Sequence, residues 1–487
     1  MKALTLIAQA EHHYAPEQIA RLKAAVELAT RAHAGQKRKS GEPYITHPLH
    51  VASLLIDWKL DIDSVIAGVL HDTVEDTTTT MEDVRAQFGD DVAFLVDGVT
   101  KVGKVRSGMR SMDEYRPETR ENLSKLLIAV GQDLRVIIIK LADRLHNLQT
   151  LRYLSEEKQH KIARESLDVF APLADRMGMG RLRVQIEELA FSYLEPEAYK
   201  ELQSTIKKRV RQAHKNLENV RLKVEQTFRS AGLQARLEGR IKSVYSLHKK
   251  LKKVGGDFDD IYDLIALRVL VEDVEDCYRA LGLLHSLYQP LPTRIKDYIS
   301  VPKPNGYQSL HTTVLTPEGQ VVEFQIRTEE MHTHAERGLA ASFHYNEQKL
   351  AKNYVRGEAS RLPRNMQWVV TLQDAIASLD GDSSAYERLK VDLFADRIFT
   401  YSPKGDIYDL PEGATALDFA FAVHSDIGLQ AHTIRVNHKI ASFDKELNNG
   451  DIVEVVTQKR AHPSMEWVNF LRTDKARSKV RAYLHSR

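Results

Sequence analysis

The chain holds one cysteine, Cys277, among 487 residues. A single thiol excludes a disulfide framework and fits a reducing compartment. No run of 18 uncharged apolar residues occurs, which excludes a helical membrane span. The short apolar stretch Ala3–Ala8 is followed by no cleavage-type pattern, so no signal peptide is expected. An excess of one charge sign is also lacking. The 69 Lys plus Arg against 67 Asp plus Glu leave a net charge of +2, and so no global pull toward nucleic acid. Internal repeats and low-complexity tracts are missing too. What remains is a cytoplasmic protein of about three domains, at roughly 150 residues each. It is long enough to bury several cores without metal or disulfide staples.

The texture changes along the chain. Ile19, Leu22, Val26 and Ala29 recur at helical spacing, as do Leu123, Leu126, Leu127 and Val130, and then Leu141, Leu145 and Leu148. Residues 1–190 therefore read as all-α. A charged helix over Tyr199–Phe228 places a connector at 191–235. From Val321 to Arg327 apolar and polar residues alternate, the mark of a half-buried strand, and Ile261–Val271 is a second strand. Residues 236–345 thus read as α/β, and 346–390 as a helical linker. Beyond 391, a hairpin joins Ile398–Tyr401 to Ile407–Leu410, a short helix spans Thr415–Val423, and strands are expected over Arg435–Ala441 and Ile452–Thr457. Strands around one helix suggest a β-grasp module at 391–458. A basic helix, Lys475–Arg487, lies in the last segment, 459–487.

Two sets of residues carry chemistry. In the helical region, His71, Asp72, Glu75 and Asp76 fall within about 140° of one helix at 100° per residue. Carboxylates crowded in this way repel unless a cation or open solvent relieves them. Asp143, Asn147 and Thr150 share a face of another helix, and His47 comes soon after the polar segment Arg38-Lys-Ser-Gly-Glu-Pro-Tyr44. Imidazoles with carboxylates suit a divalent transition metal, Mn²⁺, Fe²⁺ or Zn²⁺. Glu75 and Asp76 could orient water or move protons, and Arg38 and Lys39 could hold phosphate oxygens. In the α/β region, seven Lys or Arg face one acid, Glu238, between Arg236 and Lys253. Arg240, Lys242, Ser246 and Lys250 are spaced to grip a triphosphate without a Walker glycine loop. Asp263 and Glu323, on two strands, could hold Mg²⁺ and activate a hydroxyl. Between them lie Lys296 and the loop Pro302-Lys-Pro-Asn-Gly-Tyr307-Gln-Ser-Leu-His311, whose Tyr307 offers a face to a base.

Taken together, His71-Asp-Thr-Val-Glu-Asp76, Leu141-Ala-Asp-Arg-Leu-His-Asn147, Gly239-Arg-Ile-Lys-Ser243, Tyr262-Asp-Leu-Ile-Ala-Leu-Arg268, the Lys303–His311 loop and Glu323-Phe-Gln-Ile-Arg327 resemble the RelA/SpoT homologues. Phe399–Asp406, Leu410–Gly413 and Asn449–Glu454 resemble their TGS domain. The resemblance covers nearly all of residues 17–487. It implies an all-α HD-type hydrolase domain, an α/β synthetase domain with a mixed sheet, and a small β-grasp TGS domain. It also implies two activities. One is guanosine-3′,5′-bis(diphosphate) 3′-pyrophosphohydrolase, removing the 3′-pyrophosphate of (p)ppGpp. The other is GTP/GDP diphosphokinase, moving pyrophosphate from ATP to the 3′-hydroxyl of GDP or GTP. By resemblance Mn²⁺ is held by His47, His71, Asp72 and Asp143, and Glu75 and Asp76 serve the water attack. Arg38, Lys39, Ser40, Asn147 and Thr150 contact that nucleotide. Asp263 binds Mg²⁺, and Glu323 helps activate the 3′-hydroxyl. Arg240, Lys242, Ser246, Lys250 and Arg268 serve ATP. Tyr307 stacks on guanine, near Lys296, Lys303, Asn305 and His311.

The TGS match implies tRNA and ribosome contacts, with His424 favoured over His432 as an RNA contact. The later domains of long family members have no counterpart in the sequence. Gln149 stands where the family often has arginine, with Arg144 and Arg152 as the cations nearby. Ser342, Phe343 and Asn346 also depart from the family pattern. They motivate an alternative, a hydrolase whose α/β domain is regulatory. A tRNA-binding starvation sensor is a further alternative. Opposed reactions on one chain also imply coupling between the sites, through about 150–235.

Overall fold

Apolar residues at helical spacing build the N-terminal region as a bundle of α1 (Ala3–Ala10), α2 (Pro16–Ala32), α3 (Thr46–Asp57), α4 (Ile62–Leu70), α5 (Thr73–Asp76), α6 (Met81–Phe88), α7 (Asp90–Val99) and α8 (Arg135–Gln149). The computed structural model describes residues 1–100, 126, 129, 130, 132–253, 265–303, 305–338, 340, 397–458 and 460–485. Two units divide the chain, Met1–Gln373 and Asp374–Arg487. The stripe Ile19, Leu22, Val26, Ala29 is buried on α2 as expected. Leu126 and Val130 are buried, whereas Leu123 and Leu127 lie outside the described residues. On α8 the stripe Leu141, Leu145, Leu148 is joined in the interior by Asp143, Arg144 and His146. A helix covered nearly all round is a central one, and α8 packs on α3, α4 and α7.

The expected single helix through His71–Asp76 is interrupted. His71 caps the end of α4, and Asp72 leads the separate turn α5. Aspartate and the β-branched Thr73 and Val74 are weak helix formers, so the chain breaks where the polar residues gather.

After α9 (Glu156–Glu165), α10 (Ala171–Arg176) and α11 (Gly180–Leu194), the connector is one 35-residue helix, α12 (Pro196–Ser230), opened by a proline. The basic run then folds as β1 (Arg236–Ile241) and α13 (Val244–Lys253). Helix α13 buries Val244, Leu247 and Leu251 against Phe191, Leu202 and Ile206. Next come β2 (Ile265–Val271), α14 (Val274–Leu287), β3 (Gln289–Pro290), β4 (Lys296–Asp297), β5 (Leu310–Leu315), β6 (Val321–Thr328) and α15 (Glu329–Arg337).

The sheet order is β1-β2-β6-β5-β3, with β4 on β5. Strands β2 and β6 are parallel and the other pairings antiparallel, so the sheet is mixed. One face carries Leu267, Val269, Val314, Val322, Phe324 and Ile326, buried with Leu284 and Cys277 of α14 and with Val224 and Phe228 of α12. Cys277 is fully buried, and burial pushes its thiol up to about 12. The other face carries Glu238 and Arg240 of β1, Arg268 of β2, His311 of β5, and Glu323, Gln325 and Arg327 of β6. It is far less open than the alternation suggested: Gln325 and Arg327 are buried too.

The helical region and the sheet domain meet where α10 turns into α11. A β-carbon on Gly178 would lie 3.0 Å from the Asn305 carbonyl oxygen and 3.2 Å from the Cα of Gly338. A β-carbon on Gly338, at φ +57°, would overlap the Met177 carbonyl. Asn305 itself donates from Nδ2 to the Asp175 carbonyl at 3.0 Å. Gly338→Ala is therefore expected to lower stability by about 1–3 kcal/mol, through backbone strain and overpacking. A melting curve checks this, and an unchanged midpoint would refute it.

In the second unit, β7 (Arg397–Tyr401) pairs β8 (Ile407–Pro411), giving the expected hairpin. Helices α16 (Ala416–Val423) and α17 (Ser425–Leu429) come next. The strand expected over Arg435–Ala441 is instead a hairpin of β9 (Ala431–Val436) and β10 (Lys439–Ala441). Asn437 and His438 take φ 50° and 68° at its turn, the left-handed pair that a two-residue hairpin loop needs. Strand β11 (Val453–Thr457) completes that sheet on the other side of β9. The tail comprises α18 (Trp467–Phe470) and α19 (Asp474–His485). Asp418 of α16 is fully buried and accepts from the Thr415 hydroxyl and from the backbone N–H groups of Arg472 and Thr473. One carboxylate thus opens α16 and anchors the start of α19.

Candidate active sites

The bundle brings His47, His71, Asp72 and Asp143 to one point from α3, the α4–α5 junction and α8. His47 Nε2 lies 3.2 Å from Asp143 Oδ1 and 3.5 Å from Asp72 Oδ2. His71 Nε2 lies 3.3 Å from Asp72 Oδ2 and 3.8 Å from Asp143 Oδ1. His71 is oriented through Nδ1, 2.8 Å from the Gly68 carbonyl. Its Nε2 is buried with no hydrogen-bond partner.

Burial opposes ionisation of Asp72, but His71, His47 and the Tyr44 hydroxyl more than offset it and hold the carboxyl below its usual range. Burial likewise opposes ionisation of Asp143. Lys140 and His47 outweigh it, with Lys140 Nζ 3.4 Å from Asp143 Oδ2. Burial lowers His47, which favours the neutral imidazole. Two carboxylates, two imidazoles and a buried ring nitrogen without a hydrogen bond, all converging on one point, fit a divalent cation. His47, His71 and Asp143 form a buried cluster that could hold a divalent cation, with Asp72 against both imidazoles.

Around it, Tyr44 shares its hydroxyl between Asp72 Oδ2 at 2.8 Å and Asp76 Oδ2 at 2.9 Å. Glu75 is half-buried on the same turn as Asp76. Arg38 lies on a tight loop closed by the Lys37–Pro43 bridge, with Gly41 at φ 85°. Its guanidinium reaches α8, at 3.3 Å from Asn147 Oδ1, 3.2 Å from Thr150 Oγ1 and 3.2 Å from His146 Nδ1. Asn147 in turn donates to Asp143 Oδ1 at 2.6 Å. Lys39 is exposed beside Arg38, and Ser40 bonds Glu42 at 3.4 Å.

Of the cations near Gln149, Arg144 is turned inward. It pairs with Glu165 at 3.0 Å and lies over the Phe170 ring. Arg152 is exposed against Tyr153. Sequence reasoning gave no role to Tyr44, Lys140 or His146. Each was within reach: Lys140 and His146 stand three residues either side of Asp143, hence near it on α8.

The polar sheet face gathers the second set. Glu323 Oε1 accepts from Gln325 Nε2 at 3.0 Å and faces His311 Nδ1 at 3.4 Å. Arg240 donates to Gln325 Oε1 at 2.7 Å. Tyr307 and His311 are joined at 2.9 Å, and Lys303 Nζ lies 4.9 Å from the Tyr298 ring centre and 5.2 Å from that of Tyr307. Burial lowers both Lys303 and His311. Arg268 reaches Glu336 at 3.4 Å and is lowered by burial. Lys296 pairs in register with His311.

Lys242 is half-buried just before α13, and Lys250 is half-buried two turns along. Ser246 is 2.7 Å from Ser243 Oγ. Asn305 is not on this face by its amide, which is held by Asp175. Asp263, Ser342, Phe343 and Asn346 lie outside the described residues. Gln325 and Arg327 were missed as site neighbours, although period two places them beside Glu323. In the second unit, His424 is exposed, and its Nδ1 accepts from the Asp426 N–H at 3.2 Å, capping α17. His432 is exposed on β9.

A helical domain with a buried His/Asp cluster, a mixed sheet with a polar face and a small β-grasp unit define an HD-type multidomain protein. The HD domain family matches residues 25–180, the region found in RelA/SpoT proteins matches 239–350, and the TGS domain matches 397–457. A GTP pyrophosphokinase of Myxococcus xanthus is 44% identical over 463 residues, covering 95% of this chain and 60% of the relative. A guanosine-3′,5′-bis(diphosphate) 3′-pyrophosphohydrolase of Aquifex aeolicus is 41% identical, covering 97% and 65%. The bifunctional (p)ppGpp synthase/hydrolase SpoT of Escherichia coli is 42% identical, covering 97% and 66%. The chain belongs to the RelA/SpoT family. It spans about 55–66% of the length of the relatives it matches. No helix among the described residues is long and apolar enough to cross a membrane.

Proposed function

We propose that the chain is a cytoplasmic bifunctional alarmone enzyme. Its helical domain hydrolyses (p)ppGpp to GDP or GTP and pyrophosphate. Its sheet domain transfers pyrophosphate from ATP to the 3′-hydroxyl of GDP or GTP, releasing AMP. The observation that carries this reading is the convergence of His47, His71, Asp72 and Asp143 beside Arg38, on a chain that also bears the Glu323 sheet face.

His47, His71, Asp72 and Asp143 would hold Mn²⁺, and Asp263 would hold Mg²⁺ in the sheet domain. A divalent cation supplies charge neutralisation at phosphate oxygens and a lowered pKa for water. Arg38, with Lys39 and Ser40, binds the phosphates, and Asn147 and Thr150 hold Arg38 against α8. Glu75 and Asp76 take the proton of the attacking water, with Tyr44 orienting Asp76. In the sheet domain Glu323, oriented by Gln325, accepts the 3′-hydroxyl proton. Arg240, Lys242, Ser246, Lys250 and Arg268 bind ATP. Tyr307 stacks on guanine, close to Lys296, Lys303 and His311. Asn305 would join them once freed from Asp175. The TGS unit, with the basic α19, would meet tRNA on the ribosome.

Two reactions on one purified sample test the proposal: ppGpp with Mn²⁺, and ATP plus GDP with Mg²⁺, both resolved by ion-exchange chromatography. GDP from the first and ppGpp from the second are expected. Silence in both would sink the reading. Tyr44→Phe is expected to slow hydrolysis about tenfold, since a hydrogen bond to a charged group is worth about 1.5–3 kcal/mol. Synthesis should be untouched, and an unchanged hydrolysis rate would show that the hydroxyl is idle.

A further inference from the structure

We propose that His146 is a positioning residue that fixes the metal-binding tautomer of His47 and ties the metal pocket to the phosphate-binding Arg38. The inference rests on the hydrolase reading. His47 Nδ1 and His146 Nδ1 are 2.7 Å apart, and both rings are buried. One of the two nitrogens must donate and the other accept. Arg38 Nη1 is 3.2 Å from the same His146 Nδ1. A guanidinium has donors only, so His146 Nδ1 is the acceptor in both contacts. His47 Nδ1 therefore carries the proton, and His47 Nε2 is left with its lone pair aimed at the point shared with Asp143 and Asp72. The His146 ring is held in place by stacking on His50, at 4.7 Å and 21°.

A metal-ligating imidazole is normally oriented by a carboxylate, a backbone carbonyl or water at its other nitrogen. His71 has that pattern through Gly68. His47 uses a second imidazole, and the charge explains why that choice suits the site. A carboxylate there would also orient His47, but it would neutralise Arg38, the cation needed for a polyanionic nucleotide. A neutral imidazole accepts from both partners and adds no charge. One lone pair thus serves the metal pocket and the phosphate pocket together.

The test separates an acceptor from a space-filler. His146→Asn keeps an acceptor near the Nδ1 position, while His146→Leu removes it. Metal-free chains are titrated with Mn²⁺ by calorimetry, using Asp72→Ala as the blank for any other site. His146→Leu is expected to weaken Mn²⁺ binding about 10–100-fold, and His146→Asn to stay within about threefold of the parent. His146→Asp is expected to hold Mn²⁺ but raise KM for ppGpp more than it lowers kcat, because it captures Arg38. Equal binding by His146→Leu and the parent would overturn the proposal, as would equal weakening by Leu and Asn. If His146→Leu is unfolded by circular dichroism, His146→Gln replaces it, since its amide extends one bond past the Nδ1 position. Gln matching Asn would then overturn the assignment. Failure of the parent chain to hydrolyse ppGpp would sink the hydrolase reading, whereas the Mn²⁺ titration judges His146 by itself.

Discussion

Asp72→Ala is expected to remove (p)ppGpp hydrolysis by at least about 10³-fold, roughly 4 kcal/mol of barrier, while ATP-dependent synthesis continues. The asymmetry comes from where the residue sits. Asp72 lies within 3.5 Å of both His47 Nε2 and His71 Nε2, and it holds the Tyr44 hydroxyl. Its loss takes away one of the proposed cation ligands and the carboxylate that faces both buried imidazoles. The partners of Asp72, which are His47, His71 and Tyr44, all lie in the helical domain. Net ppGpp accumulation from ATP and GDP should therefore rise in this variant, because the opposing reaction is gone. Retained hydrolysis with Mn²⁺ would show that the four-residue cluster is not the catalytic centre. A far-UV spectrum matching the parent makes the comparison fair.

Glu323→Gln should do the reverse. The amide keeps the size of the carboxylate and can still accept from Gln325, so packing on β6 is preserved. In the proposed role it could no longer take the 3′-hydroxyl proton. General-base assistance is worth about 10²–10⁴-fold, and synthesis is expected to fall by that factor. Hydrolysis at the helical centre should stay at the parent rate. If the loss appears only as a higher KM for GDP, Glu323 binds the acceptor without activating it, and the assigned role fails. The two variants together form a crossed pair, each silent in one reaction and active in the other.

Much of the fold was legible in the residues. The α2 stripe, the α12 connector, the β6 alternation and the β7–β8 hairpin can be read from period and turn chemistry. The gathering of the buried His/Asp cluster was legible in part: Asp143, Asn147 and Thr150 follow helical spacing along α8 and its cap, whereas His71 and Asp72 meet at a break between α4 and α5. Other features were not legible, for physical reasons. Alternation on β6 shows which residues share a face but not what covers it, so the burial of Gln325 and Arg327 by neighbouring elements was invisible. The helix break at His71-Asp72 rests on the weak helix formers Asp72, Thr73 and Val74, which the periodicity of the apolar residues does not register. Asn305 looked like a ligand contact from its loop. Its bond to Asp175 joins residues 130 apart in sequence, which spacing alone does not reveal. The turn at Asn437-His438 lacks the glycine that usually announces such a loop, so one long strand was the natural expectation.

The lone cysteine has a practical consequence. Its thiol is sealed between α14 and the sheet and held in the protonated, unreactive form at neutral pH. Maleimide reagents should therefore pass over the unmodified chain. Cysteines introduced at exposed positions, one on α9 and one on β1, would accept paired fluorophores without prior removal of Cys277. The distance between the helical domain and the sheet domain could then be tracked by energy transfer in the intact molecule, as each nucleotide is added in turn.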